Sequence, residues 1–150
     1  MLDYHITKTH TQVFGDDYFI VTMIRNPEDT IVSLAAMRTH TGEAEPDLDL
    51  LISRYILFYK YIIEKANLII DYEFMLNNPG DVVIYFAQMM NLSINDVKVT
   101  NNYVDDPATG YLVTSTTSPQ YEKMRELITH YDLSEANELY EQAKKLAKFK

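Results

Sequence analysis

Tyr18-Phe19-Ile20-Val21-Thr22-Met23-Ile24-Arg25-Asn26-Pro27-Glu28-Asp29 is an apolar run that ends on a cation, an amide and a proline. Its first seven residues are rich in β-branched and aromatic side chains and largely lack polar alternation. That pattern predicts a short strand buried on both faces, as in a parallel sheet. Asn26 is a good helix cap, Pro27 suits the first helical position, and Asp29 adds a first-turn carboxylate. The spacing then predicts a helix to about Arg38, with Ile31, Leu34 and Ala35 on one face. A buried strand that feeds a helix directly is the opening of a crossover, not of a hairpin.

Working outward, Thr41 to Pro46 is a polar loop, and Asp47 can cap a second, longer helix. In that helix Leu48, Leu51, Ile52, Tyr55, Phe58, Tyr59, Ile62 and Ile63 recur at helical spacing. Asn67 leads into Leu68-Ile69-Ile70-Asp71-Tyr72, a second buried strand. Asn78-Pro79 repeats the cap-then-proline device and predicts a helix through about Met90. The stretch from Asn101 to Ser118 reads as irregular, broken by Asp106-Pro107 and Gly110. Two helices follow, one from about Pro119 and one opened by Asp132 with Glu135 three residues later, a capping-box spacing. Leu139, Tyr140, Ala143, Leu146 and Ala147 are its expected core face. Strands separated by helices imply an α/β fold, a parallel sheet flanked by helices with a helical C-terminal end. The length of 150 residues fits one domain over 1–150.

Composition narrows the function classes. There is no cysteine, which excludes disulfides and thiolate metal sites and suits a cytoplasmic location. The N-terminal residues carry no secretory pattern, and Lys60, Glu64, Lys65 and Asn67 interrupt the longest apolar stretch, so no membrane span is expected. A net charge of −9 argues against non-specific nucleic-acid binding. A small phosphorylated ligand needs only a few local cations and stays open. His5, His40 and His130 show no metal-ligand spacing. The abundance of Tyr, Asn, Ile and Lys fits an AT-rich genome, viral or bacterial.

In open parallel sheets, ligands bind beyond the carboxyl ends of the strands. Three groups fall at such places: Lys8-Thr9-His10 after a short possible strand at Tyr4 to Thr7, Arg25 ending the next strand with Ser33 in the helix it feeds, and Tyr72-Glu73 ending the strand from Leu68. An arginine at a helix entrance offers a planar fork of donors beside oriented backbone amides, a good arrangement for phosphate. The same arginine can instead pair with Glu28 or Asp29, with Ser33 merely lying on a helix. Lys8 and His10 read equally well as surface residues, and Tyr72 as a strand-end tyrosine.

In chain order these elements resemble the sulfotransferases that use 3′-phosphoadenosine 5′-phosphosulfate. That family carries a Lys-Thr-His element, a strand ending in Arg-(Asn/Asp)-Pro-x-Asp-x-x-x-Ser, and a strand ending in Tyr-Glu-Asp. Here they stand as Lys8-Thr9-His10, Arg25-Asn26-Pro27-Glu28-Asp29 through Ser33, and Tyr72-Glu73-Phe74, with Phe74 replacing the family's acid. The tail from Ser118-Pro119-Gln120-Tyr121 to Leu139-Tyr140 is also similar. The resemblance implies a P-loop-type sheet and transfer of a sulfuryl group to a hydroxyl or amine of an unidentified small-molecule or glycan acceptor, without a metal. It implies that Arg25 and Ser33 hold the 3′-phosphate and that Tyr72 lies near the adenine. His10 would be the general base and Lys8 would stabilise the leaving charge.

The family's Lys-Ser-Gly-Thr-Thr-type phosphate loop has no counterpart in these 150 residues, nor does its basic Arg-Lys-Gly cluster. The resemblance therefore implies one of three arrangements: a start further upstream, a second chain that supplies the loop, or a shortened relative. In the last case the protein is a nucleotide-binding or interaction module that pairs its open strand edge with another copy. A nucleotide kinase of the same general fold is the remaining alternative, and it too needs the loop.

Overall fold

The computed structural model describes residues 19–40, 46–89, 91 and 118–149. Within them the chain is mixed α/β and mostly helical, built on a two-stranded parallel sheet. Strand β1 (Val21–Ile24) is followed by helices α1 (Pro27–His40) and α2 (Leu48–Lys65), then strand β2 (Leu68–Asp71). Next come α3 (Tyr72–Asn77), α4 (Pro79–Met89), α5 (Pro119–Ile128) and α6 (Ser134–Leu146). Among the described residues no helix is long and apolar enough to cross a membrane.

The register pairs Val21 with Leu68 and Ile24 with Asp71. Side chains alternate across a sheet, so Val21, Leu68 and Ile70 share one face and Ile24, Ile69 and Asp71 the other. The first face meets Val82, Phe74, Met75, Tyr85, Phe86 and Phe149 in a small apolar cluster. The second face belongs to the main core, filled from α1, α2, α5 and α6. The chain after α6 returns to the far side of β2: Lys148 N–H donates to the Ile69 carbonyl at 3.0 Å and Asp71 N–H to the Phe149 carbonyl at 3.0 Å. β1 has β2 on one side, and no other described strand pairs with it.

Local chemistry explains the elements. The Asn26 side-chain oxygen accepts the Asp29 N–H at 2.8 Å, and its carbonyl accepts the Thr30 N–H at 3.2 Å. α1 runs to His40, past the expected Arg38, and buries Val32 and Ala36 besides Ile31 and Ala35, because α2, α5 and α6 all touch it. Asp47 caps α2 through the Leu50 N–H at 2.9 Å. The expected stripe is there: Leu48, Leu51, Ile52, Tyr55, Tyr59 and Ile62 are buried, with Phe58 and Ile63 packed beside them. Ser118 caps α5 and Pro119 opens it.

Several sequence expectations need correction. The first strand is shorter than the apolar run: Phe19 and Ile20 precede the ladder, although the Ile20 carbonyl still accepts the Leu68 N–H at 3.1 Å. Tyr72 opens a helix instead of ending a strand, because the Asp71 carboxylate accepts the N–H groups of Glu73 at 2.8 Å and Phe74 at 3.3 Å. Asn78 closes α3 instead of capping α4; its backbone N–H and side-chain amide both donate to the Phe74 carbonyl. The Asp132–Glu135 capping box does not form. Leu133 occupies the cap, and Asp132 accepts the Ser134 N–H at 2.9 Å. The buried stripe of α6 steps from Ala143 to Ala147, which leaves Leu146 at 57% exposure. The expected strand at Tyr4 to Thr7, Tyr18, most of the Thr41–Pro46 loop and nearly all of the Asn101–Ser118 segment lie outside the described residues.

Replacing buried Ile62 by alanine is expected to cost about 2–5 kcal/mol in a urea unfolding experiment, since the cavity adds to the lost transfer energy. Leu57→Ala, on the exposed side of the same helix, should stay within about 0.5 kcal/mol.

Candidate functional site

The register fixes what meets at the carboxyl ends of the strands. Ile24 pairs with Asp71, so the next residues, Arg25 and Tyr72, leave the sheet side by side. The Arg25 guanidinium lies over the Tyr72 ring, 5.2 Å from its centroid. This contact orients a cation and an aromatic face at the place where α/β proteins bind ligands. The Arg25 side chain is 31% exposed, so the site is open to solvent while one side of the guanidinium is shielded.

The backbone beneath Arg25 is held by α2. The hydroxyls of Tyr55 and Tyr59 both donate to the Arg25 carbonyl, at 2.8 and 2.7 Å. The Tyr59 oxygen also accepts the Arg25 N–H at 2.9 Å. The two rings are one helical turn apart and stacked, with centroids at 4.1 Å. Tyr140 from α6 meets Tyr59 edge-on and directs its hydroxyl at the Asp71 carboxylate, 3.5 Å away. Asp71, 3% exposed, thus links the end of β2 to the first turn of α3.

Burial governs the acidity of these phenols. Desolvation pushes Tyr55 far above its ordinary value, with the neighbouring Tyr59 adding to the effect. Tyr59 is pushed up to about 12 by burial, held back by its hydrogen bonds to Tyr55 and Arg25. Tyr140 is raised by burial and then by the Asp71 charge.

On the outer side, the first turn of α1 carries two acids that have their own partners. Asp29 receives the Asn26 side-chain amide at 2.6 Å and the Tyr121 hydroxyl at 3.3 Å. Burial and then the Asp29 charge raise Tyr121. Arg25 approaches Asp29 only to 3.9 Å, and Arg125 from α5 faces Glu28 at 3.7 Å. Exposed pairs at such distances contribute roughly 0–1 kcal/mol. Arg25, Asp29 and Ser33 are spaced four apart, so half-buried Ser33 stands one turn beyond Asp29 on the same face of α1, about 6 Å along the axis.

Of the residues singled out from sequence, the structure brings Arg25 and Tyr72 into contact and places Ser33 on α1, one turn beyond Asp29. Lys8 and His10 lie outside the described residues. Sequence reasoning missed the support: Tyr55, Tyr59 and Tyr140 read only as core, Asp71 only as part of a strand, and Tyr121 had no place at the site. The available signal was a pair of hydroxyl-bearing rings four residues apart in an otherwise apolar stripe. Among the described residues, no group of His, Asp or Glu side chains is arranged to hold a metal ion.

The raised phenols make stability sensitive to alkali. Unfolded tyrosines lose their protons near pH 10, while folded Tyr59 keeps its proton to about 12. Between those values the unfolded state binds fewer protons, so stability is full below pH 10 and falls as pH rises, by at most about 1.4 kcal/mol per pH unit for each tyrosine. Tyr59→Phe is expected to flatten part of that fall in urea midpoints measured from pH 8 to 12.

Comparison of the chain with protein-family models, curated proteins and solved structures finds no match.

Proposed function

We propose that the strand-end site binds a 3′-phosphorylated adenosine nucleotide, with Arg25 and Ser33 on the 3′-phosphate and Tyr72 beside the adenine. The observation that carries this reading is the Arg25 guanidinium over the Tyr72 ring at the carboxyl ends of two adjacent parallel strands. A guanidinium suits a phosphate through charge-assisted, bidentate hydrogen bonds, and an aromatic face suits a nucleobase. α1 begins two residues after Arg25, so the positive end of its dipole favours an anion nearby. A parallel strand pair joined through helices also accords with a P-loop-type sheet.

The activity proposed for this site is sulfuryl transfer from 3′-phosphoadenosine 5′-phosphosulfate. The acceptor oxygen or nitrogen forms a bond to sulfur as the bond from sulfur to the 5′-phosphate oxygen breaks. His10 takes the acceptor proton, Lys8 stabilises the charge on the departing 5′-phosphate, and 3′-phosphoadenosine 5′-phosphate leaves as product. Arg25, Ser33 and Tyr72 hold the nucleotide throughout and do no bond-making.

Calorimetric titration with 3′-phosphoadenosine 5′-phosphate is expected to show one site, with adenosine 5′-monophosphate weaker by about tenfold or more for want of the 3′-phosphate. Arg25→Ala should remove most of that preference, a loss of about 10- to 100-fold for a charge-assisted phosphate contact. Ser33→Ala should cost about three- to tenfold. Wild-type protein that binds neither nucleotide would refute the site. Binding without sulfuryl transfer to an acceptor panel would leave a nucleotide-binding module.

A further inference from the structure

The Arg25 peptide is held on both sides by one helix, which is more than a strand end requires. Two phenol hydroxyls converge on its carbonyl, and one of them also receives its N–H. A single buried donor would have satisfied that carbonyl. Hydrogen bonds at both the N–H and the carbonyl instead constrain how the residue turns between β1 and α1. That turn sets the direction of the Cα–Cβ bond and so where the guanidinium points.

We infer that Tyr55 and Tyr59 are positioning residues for the Arg25 phosphate contact, acting through the backbone and never touching ligand. The inference rests on the phosphate reading of Arg25 given above. A binding constellation tolerates errors of only about 0.5 Å and 10–20° before its contacts weaken. The Tyr72 ring limits the guanidinium from one side, and the tyrosine pair fixes the root of the same side chain. The two supports are joined to each other: Tyr59 meets Tyr140, Tyr140 reaches Asp71, and Asp71 caps the helix that begins at Tyr72. α2 and α6 therefore hold both halves of the site in one frame.

Phenylalanine keeps each ring and its stacking while removing the hydroxyl, so Tyr59→Phe and Tyr55→Phe are mild variants. Tyr59→Phe, which loses both a donor and an acceptor, is expected to weaken 3′-phosphoadenosine 5′-phosphate about tenfold, and Tyr55→Phe about threefold. Adenosine 5′-monophosphate, which lacks the group Arg25 would hold, should bind both variants as it binds wild type. Val82→Ala, which loosens the apolar cluster separate from the one that holds these tyrosines, should leave the ratio of the two affinities unchanged. In an Arg25→Ala background, Tyr59→Phe should have no further effect on that ratio, the signature of two residues acting through one contact. Equal weakening of both nucleotides in Tyr59→Phe, or an unchanged ratio, would overturn the positioning role while leaving the nucleotide site standing. Absence of nucleotide binding by the wild type would overturn both.

Discussion

A parallel strand pair cannot be closed by a tight turn, so the chain must leave β1, cross the face of the sheet and return to start β2 from the same end. In this protein α1 and α2 make that crossing, and everything at the site follows from it. Parallel register sends both strands out of the sheet at one edge, and the pairing of Ile24 with Asp71 puts Arg25 next to Tyr72. An antiparallel partner would have placed a strand's amino end there instead. The crossing also lays α2 beneath the exit of β1, which is why hydroxyls from its core face can reach the Arg25 carbonyl. α6 then packs on α2 and β2, and the chain after it adds Phe149 to the sheet edge.

The end of a buried strand is an awkward place for a polar backbone. The peptide at Arg25 has left the ladder and lies under α2, where water cannot be assumed to satisfy it, and an unpaired buried group costs about 1–3 kcal/mol. Tyrosine meets both demands of the position: the ring fills the core and the hydroxyl bonds the backbone. Tyr55 and Tyr59 are respectively 0% and 2% exposed, so their own hydroxyls need partners as much as the carbonyl does. Asp71 follows the same logic at the end of β2, where its carboxylate accepts two N–H groups of α3 and the Tyr140 hydroxyl. Among the described residues no buried side-chain polar atom is left without a partner. The polar ends of the two strands are thus solved together, by three phenols and one acid.

Much of this could be read from the chain before any coordinates. The Asn26-Pro27 helix start, the Asp47 cap and the stripe from Leu48 to Ile62 are local signals, set by residues within a few positions of one another, and each holds. The errors arise where one signal has two local uses. An Asp, Asn or Ser before a helical run can cap the helix that follows or close the one before; Asn78 does the second, and the sequence spacing is the same. Asp71 is the last residue of β2 and at the same time the cap of the next helix, so Tyr72, which follows the apolar run, opens α3 instead of extending the strand. Leu146 follows the helical period but falls just off the stripe that ends at Ala147. At the site, Arg25 and Tyr72 stood out as residues at strand ends. Their contact depends on register, and the tyrosine support depends on how α2 lies against β1. Neither is a property of any short stretch of sequence.

The acidity of the whole chain does not count against an anion at this site. Charges more than about 8 Å apart across solvent are largely screened at physiological ionic strength, so the net −9 acts weakly and the nearest groups decide. Those groups are Arg25, the positive end of the α1 dipole, and the acids Glu28 and Asp29. Asp29 is the one that matters, since it lies on the helix face between Arg25 and Ser33. Its carboxylate already accepts from Asn26 and Tyr121, while Arg25 stands off at 3.9 Å. The arginine is therefore not needed to satisfy the acid, and turning it toward a phosphate breaks only a long, partly solvated pair. Tyr121 matters for the same reason: by donating to Asp29 from α5 it anchors the carboxylate away from the guanidinium. An arginine bound tightly by its own helix would be a structural ion pair. This one is oriented by the Tyr72 ring and by the backbone grip of α2, yet its donors are only loosely engaged, which is the condition a ligand-binding arginine has to meet.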